Sequence, residues 1–145
     1  MTELWKLSAA KMAQMVRNRE VSAVELTEAH LARLAAVNTR LNAVVHEMPE
    51  EALQCAKAVD ERVARGKDPG PLCGAPITTK VTTDQKGQAT TGGLTLNRLA
   101  ISASDSPIVT NIRKAGGIII GRTATPAFSV RWFTNSILYG QTLNP

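Results

Sequence analysis

Aromatic side chains are few: Trp5, Trp132, Phe128, Phe133 and Tyr139 are the only such rings in 145 residues. Small and branched side chains must therefore fill most of the core. Cysteine is scarcer still, and Cys55 and Cys73 stand in no C-x-x-C spacing, which excludes a disulfide framework and a cysteine metal site. No stretch reaches the roughly 18 consecutive apolar residues of a membrane span. The N-terminus "MTELWKLSAAKM" has no uninterrupted apolar core of signal-peptide type. These absences predict a cytoplasmic protein without a membrane.

Negative charge thins out along the chain. Residues 1–80 carry 10 acids and 11 bases, whereas residues 81–145 carry two acids, the last at Asp105, and six bases. The net charge of +5 is a C-terminal excess. Nucleic-acid binders cluster their cations on one face and, for single strands, add stacking rings. Arg98, Arg113, Lys114, Arg122 and Arg131 form no run, so no nucleic-acid partner is expected. An alternative is that these cations face acidic partners outside this chain.

The composition that remains, 43% hydrophobic and 20% charged, is that of a globular protein. The spacing predicts one domain over residues 1–145, with a helical lead-in at 1–66 and an α/β portion at 72–145. Three helices are expected in the lead-in. Ser8 caps the first, with Leu7 and Met12 at staple positions and Ala9, Met12, Ala13 and Val16 on one stripe. Ser22 and Glu25 form a capping box for the second, which lines up Leu26, Ala29, His30, Leu34 and Val37. The third starts at Pro49 with Glu50 and Glu51, ends with Arg62, Arg65 and Gly66, and buries Ala52, Cys55, Ala56, Val59 and Val63. Cys55 thus reads as core filler and His30 as a hydrogen-bonded histidine at a core edge.

Beyond the Pro/Gly connector "GKDPGPLCG" the pattern changes to short β-branched runs. "APITTKV" reads as a buried strand that enters the Thr/Gly-rich loop "TTDQKGQATTGGLT". In "SDSPIVTNIRKAGGIIIGRT", Asp105 or Ser106 caps a helix with Pro107 in its first turn, Ile108 and Ile112 facing inward and Gly116 at its end; a strand follows. Strand, helix, strand implies parallel pairing. "GGIIIGRT" has the spacing of a phosphate-binding loop with Arg122 in place of lysine. Three consecutive isoleucines favour a strand whose N–H groups are committed to a ladder, so no phosphate cradle is expected.

One residue does not fit its surroundings. Lys80 follows Ile77, Thr78 and Thr79 and precedes Val81, a setting in which an ammonium is costly unless it is paired. Such a lysine either snorkels at the strand end or is kept neutral as a base. Thr78, Thr79, Thr82 and Thr83 offer hydroxyls to it.

The segments "GAPITTKVTTDQKGQATTGG", "DSPIVTNIRKAGGIIIGRTATPAFS" and "RWFTNSILYGQTLNP", in that order, closely resemble the N-terminal portion of the amidase signature family, and "VSAVELTEAHLARLAAVNTRLNAVV" resembles its opening helices. The resemblance implies an α/β class: N-terminal helices, then strand–helix–strand units forming an incomplete part of an α/β/α sandwich with a mixed central sheet. It implies hydrolysis of carboxamide C–N bonds by a Ser–cis-Ser–Lys triad, without cofactor or metal. The family's lysine lies in a G-x-P-x-x-x-K strand, here Gly74 to Lys80, so the resemblance makes Lys80 the catalytic base. It would take a proton from a bridging serine, which activates the nucleophilic serine.

Both serines belong to a Gly/Ser-rich signature that follows the N-P step, and the sequence ends at Asn144-Pro145. Ser8, Ser22, Ser104 and Ser106 read as cap or turn residues, while Ser102, Ser129 and Ser136 lack the glycine-rich setting of a nucleophile. Val81-Thr82-Thr83 and Ala124 also depart from the family, which often has Asp or Asn after its lysine and Asn in the position of Ala124. The expectation is a shortened amidase-family chain, inactive by itself. A small amide would be its substrate only in the complete fold. Unpaired edges would make it self-associate or pair with a complementing C-terminal fragment. The alternatives are a non-catalytic binding or assembly module, or one chain of a two-polypeptide amidase.

Overall fold

A computed structural model describes residues 3–145. Four α-helices and five strands occur among them: α1 (Ala9–Arg17), α2 (Ala23–Leu41), β1 (Val44–Glu47), α3 (Pro49–Ala64), β2 (Pro76–Lys80), α4 (Pro107–Lys114), β3 (Ile118–Thr123), β4 (Asn135–Ser136) and β5 (Gly140–Gln141). A three-stranded sheet has the order β1-β3-β2, and β4 pairs with β5 in a two-stranded hairpin. The chain forms two compact units. One comprises the chain up to Ala36, Met48–Ile77 and Asn111–Ile120; the other comprises Val37–Glu47, Thr78–Thr110 and Gly121–Pro145.

In the first unit the helix starts are fixed by local chemistry. Ser8 Oγ accepts from Lys11 N at 3.2 Å at the head of α1. At the head of α2, Glu25 N donates to Ser22 Oγ, while Ser22 N and Oγ both donate to the Glu25 carboxylate at 2.8 Å. The bond from the Ser22 backbone holds the Glu25 carboxyl below its ordinary range. A second acid reinforces this end from α3: the Asp60 carboxylate accepts from Ala23 N at 2.7 Å and Val24 N at 3.2 Å. Free N–H groups in the first turn favour such an anion.

The core of this unit joins Met12, Ala13 and Val16 of α1, Ala23 and Leu26 of α2, Ala52, Ala56 and Val59 of α3, and Cys73, Ile118 and Ile120. It contains no ring, as the shortage of aromatics required. Close approach follows from small side chains. A Cβ at Gly74, where φ is +82°, would sit 2.7 Å from Ala23 Cβ. The face of α2 departs from the expected stripe: Ala23, Leu26 and Thr27 are buried, whereas Ala29, His30, Leu34 and Val37 are only half covered. Burial is confined to the helix's first turns, where α3 packs at Asp60. His30 Nδ1 bonds Leu26 O at 2.8 Å, as a histidine at a core edge does.

β1 interrupts the expected all-helical lead-in. It pairs antiparallel with β3, with Val44 opposite Thr123, His46 opposite Arg122 and Glu47 opposite Gly121, and an irregularity between Val44 and His46. Asn38 stops the helix before it: its Oδ1 accepts from Ala43 N and Val44 N, its Nδ2 donates to Val44 O, and Asn42 takes φ +52°. A strand of four residues is too short to show a period, and asparagine competing with the helix for backbone bonds is a weak signal in sequence.

β2 and β3 bond in ascending register, Ile118 N to Ala75 O and Val81 N to Thr123 O, as parallel strands do. With β1 antiparallel to β3, the sheet is mixed. β3 is central and buried from Ile118 to Arg122, which places the "GGIIIGRT" run in a ladder rather than a phosphate loop. Gly121 is required there, since a Cβ would lie 2.7 Å from Val44 Cγ1 and 2.8 Å from His46 O. In α4, Ser106 Oγ is the cap, accepting from Val109 N at 3.4 Å, while Asp105 accepts from Lys86 N. The inward residue of this turn is Val109, fully buried, and not Ile108, which is 64% exposed. Successive helix positions lie about 100° apart, so only one of the two faces inward.

Candidate active site

The second unit holds the lysine-bearing end of β2. Side chains alternate along a strand, and here Thr79 is buried while Thr78 and Lys80 are exposed. The Lys80 residue is thus exposed as a whole, while the bond its amine makes is partly buried. β2 lies at the edge of the sheet, and Lys80 shares the uncovered face with Thr78. Lys80 Nζ donates to Ala124 O at 3.2 Å, so a backbone carbonyl rather than a threonine hydroxyl holds the amine. Thr79 Oγ1 instead donates to Gln85 Oε1, a buried contact at 3.1 Å, and Thr79 O accepts from Thr123 Oγ1. Ala124, which departs from the family pattern in side chain, still contributes its carbonyl.

Behind Lys80 lies a cation to which the sequence analysis gave no part in the site. Arg122 is fully buried. Its guanidinium donates to Ala89 O and Thr83 O at 2.7 Å each, with Lys80 O farther away at 3.5 Å. These carbonyls belong to the end of β2 and to the loop after it, so one planar fork ties both to the central strand. Burial lowers the guanidinium's pKa, opposed by Tyr139 and Asp84. Five fixed donors on a strongly basic group keep it charged even so. The signal that could have found it is a lone arginine inside a run that otherwise reads as a fully buried strand.

Two polar clusters complete the loop region. Asp84 Oδ1 accepts from Thr90 Oγ1 at 2.7 Å and Ser102 Oγ at 3.0 Å, and those bonds depress its carboxyl pKa. Tyr139 OH meets His46 Nε2 at 3.2 Å and Thr91 Oγ1 at 3.0 Å, with the His46 and Tyr139 rings edge to face. Burial, and then the Arg122 charge, lowers the His46 pKa. The serines are engaged elsewhere: Ser8, Ser22 and Ser106 at helix starts, Ser102 on Asp84, Ser129 on Thr125, and Ser136 accepting from Tyr139 N. Cys73 is a buried free thiol whose pKa burial raises, and Cys55 is a half-buried free thiol. Among the described residues no group of three or more His, Cys, Asp or Glu side chains could hold a metal ion. No described helix is long and apolar enough to cross a membrane.

The strand thus ends in a lysine held by the Ala124 carbonyl, with a buried arginine bonded to the backbone behind it. The chain belongs to the amidase family, whose model matches residues 25–145. It is 48% identical over 142 residues to the indoleacetamide hydrolase of Bradyrhizobium diazoefficiens, covering 98% of this chain and 27% of that protein. It is 41% identical over 145 residues to a glutamyl-tRNA(Gln) amidotransferase subunit of Salinispora arenicola, covering all of this chain and 30% of that protein. Among solved structures, a fatty acid amide hydrolase superposes with a TM-score of 0.94 at 27% identity, over all of this chain and 26% of that one. A bacterial aryl acylamidase of the amidase signature family superposes with a TM-score of 0.90, also at 27% identity, over 96% of this chain and 29% of the other. The chain thus spans about three tenths of the length of the curated relatives it matches.

Proposed function

We propose that this chain supplies the lysine-bearing part of an amidase that hydrolyses a small carboxamide, releasing a carboxylic acid and an amine. The observation that carries the reading is Lys80 Nζ fixed at the end of the G-x-P-x-x-x-K strand by Ala124 O, in a chain whose family model covers that strand. Lys80 is the base. It accepts the proton of a bridging serine, and that serine takes the proton of the nucleophile as it attacks the carbonyl carbon; the proton then passes to the departing amine, and water, deprotonated through the same relay, cleaves the acyl-serine ester to free the acid and restore the serine O–H. Neither serine is among the seven of this chain: six are hydrogen-bonded in a cap, a turn, the Asp84 cluster or to Thr125, and none, Ser104 included, stands in the glycine-rich setting of a nucleophile. The desolvation such a base needs comes from whatever covers the exposed face of β2. The 145 residues by themselves are inactive. Cytoplasmic placement agrees with Cys55 and Cys73 as unpaired thiols.

Indole-3-acetamide is the substrate to test, by analogy with the 48% identical hydrolase. The chain is assayed alone and mixed with the part of the Bradyrhizobium enzyme that lies beyond the matched region. No turnover is expected alone. Turnover in the mixture should fall about 10²- to 10⁴-fold with Lys80→Ala, the usual contribution of a positioned base. Turnover that survives the substitution removes Lys80 from the mechanism. Lysine-dependent turnover by the chain alone overturns its inactivity.

A further inference from the structure

Tyr139 is the only tyrosine of the chain, and it stands in the turn between β4 and β5. Four bonds tie this hairpin and the residues after it to the turn between α2 and β1. Asn42 Nδ2 donates to Tyr139 O at 2.7 Å and to Gln141 O at 3.1 Å, Thr142 Oγ1 donates to Asn42 O at 2.8 Å, and Leu143 N donates to Leu41 O at 2.8 Å. The phenol reaches further. Its OH lies between His46 Nε2 of β1 and Thr91 Oγ1 of the loop after β2. Thr91 adjoins Gly92, whose N donates to Val81 O at 3.2 Å and whose O accepts from Phe128 N at 3.1 Å. One side chain thus joins β1, the hairpin and the backbone next to Lys80, all within the second unit.

Of these groups only the imidazole changes charge near neutral pH. The sheet sets what it faces. His46 stands opposite Arg122 in the β1–β3 ladder, and directly opposed residues of an antiparallel pair share a face, where like charges repel. Arg122 is buried and bonded to Ala89 O and Thr83 O, so its guanidinium cannot turn away. Asp84, which acts on that guanidinium, is engaged by Thr90 and Ser102, and Glu47, next along β1, accepts from Asn38 Nδ2. The hairpin and the loop offer His46 the uncharged Tyr139 and Thr91 hydroxyls. Among the described residues no carboxylate is in ion-pair distance of His46. A protonated ring can only donate, so Nε2 then no longer accepts from Tyr139.

We propose that His46, Tyr139 and Thr91 form a latch that acid opens: protonation drives the imidazole away from Arg122, frees the Tyr139 phenol, and loosens the β4–β5 hairpin and the Thr91–Gly93 backbone while the first unit stays folded. Burial, and then the Arg122 charge, lower the His46 pKa from 6.5, so the opened form takes up the proton more readily than the latched one. The latch is closed above 6.5 and opens as the pH falls toward the latched value. The open population rises by up to about tenfold per pH unit, the limit for one proton. Its bearing on hydrolysis rests on the amidase reading: Val81 adjoins Lys80, so an open latch withdraws support from the strand end that carries the base.

The test uses the chain labelled with fluorotyrosine, which reports Tyr139 alone. From about pH 7.5 to 5.5 the fluorine resonance should shift together with the His46 ring protons, which are assigned by their loss in His46→Gln. Amide exchange at Thr142 and Leu143, bonded to Thr134 O and Leu41 O in the closed form, should rise at least about threefold over that range once corrected for the intrinsic effect of pH. Ala52 and Ile118 of the first unit should stay protected. His46→Gln keeps a polar partner for Tyr139 but takes no charge, so the hairpin should stay closed throughout. Tyr139→Phe should speed the same amides already at the upper pH. Four results overturn the latch: hairpin protection that ignores pH; a pH response that survives His46→Gln; Tyr139→Phe without effect on the hairpin; and loss of protection that sets in equally across the first unit. None of these readouts needs turnover, so an absence of hydrolysis in the mixed assay sinks the amidase reading and leaves the latch standing.

Discussion

Replacing Arg122 with Met removes a guanidinium that donates to Ala89 O and Thr83 O at 2.7 Å each, in a residue with no exposed surface. A hydrogen bond to a charged group contributes about 1.5–3 kcal/mol, and a buried acceptor left without a donor costs a comparable amount. Against this, the substitution relieves the desolvation of a buried cation, which offsets part of the loss. The longer contact to Lys80 O adds little. The net expectation is a destabilisation of about 2–4 kcal/mol. Arg122→Lys keeps the charge but cannot reach both carbonyls in a planar fork, so it recovers only part of the loss. Urea unfolding followed by circular dichroism measures both variants. Amide hydrogen exchange adds the local readout: the segment from Thr82 to Ala89 should exchange faster in Arg122→Met before the rest of the chain opens. A variant with the urea midpoint of the unsubstituted chain and unchanged exchange in that loop would refute the clamp.

Acid should weaken the second unit through His46. Its folded pKa lies below the ordinary 6.5 because burial and Arg122 disfavour the imidazolium, so the unfolded chain binds the extra proton first. Stability is full above 6.5 and falls as the pH drops through that value toward the folded pKa. His46→Gln should flatten this dependence in thermal melts taken across the same range. At the β1–β3 contact, Gly121→Ala places a Cβ against Val44 Cγ1 and His46 O. The clash should cost about 1–3 kcal/mol of stability by urea unfolding; a neutral result would mean that β1 can move away.

Much of the first unit was legible because its determinants are local. Ser8, the Ser22–Glu25 box, Pro49 and Gly66 act within a turn of where they stand, and each was found in its expected place. β1 was not legible, since Val44–Glu47 is too short for a pattern and owes its place to Asn38 and to pairing with β3. The choice between Ile108 and Val109 depended on which way α4 turns toward its neighbours, which periodicity in eight residues leaves open. At the site, the family resemblance singled out Lys80, but its exposure depends on β2 being the edge strand of the described sheet. Arg122 was counted among scattered cations, and Tyr139 among scarce rings. The His46–Tyr139–Thr91 chain joins residues so far apart in sequence that no local rule connects them.

The sequence by itself determined the helix starts, the turn from a helical to an α/β pattern, the ring-free core and membership of the amidase family, because each is written in neighbouring residues or in ordered motifs. Only the tertiary structure decided that Lys80 is held by Ala124 O, that Arg122 is the buried fork behind it, and that the exposed apolar side chains gather between residues 96 and 143. Burial is a property of what packs against a residue, and that is settled by distant parts of the chain once they meet.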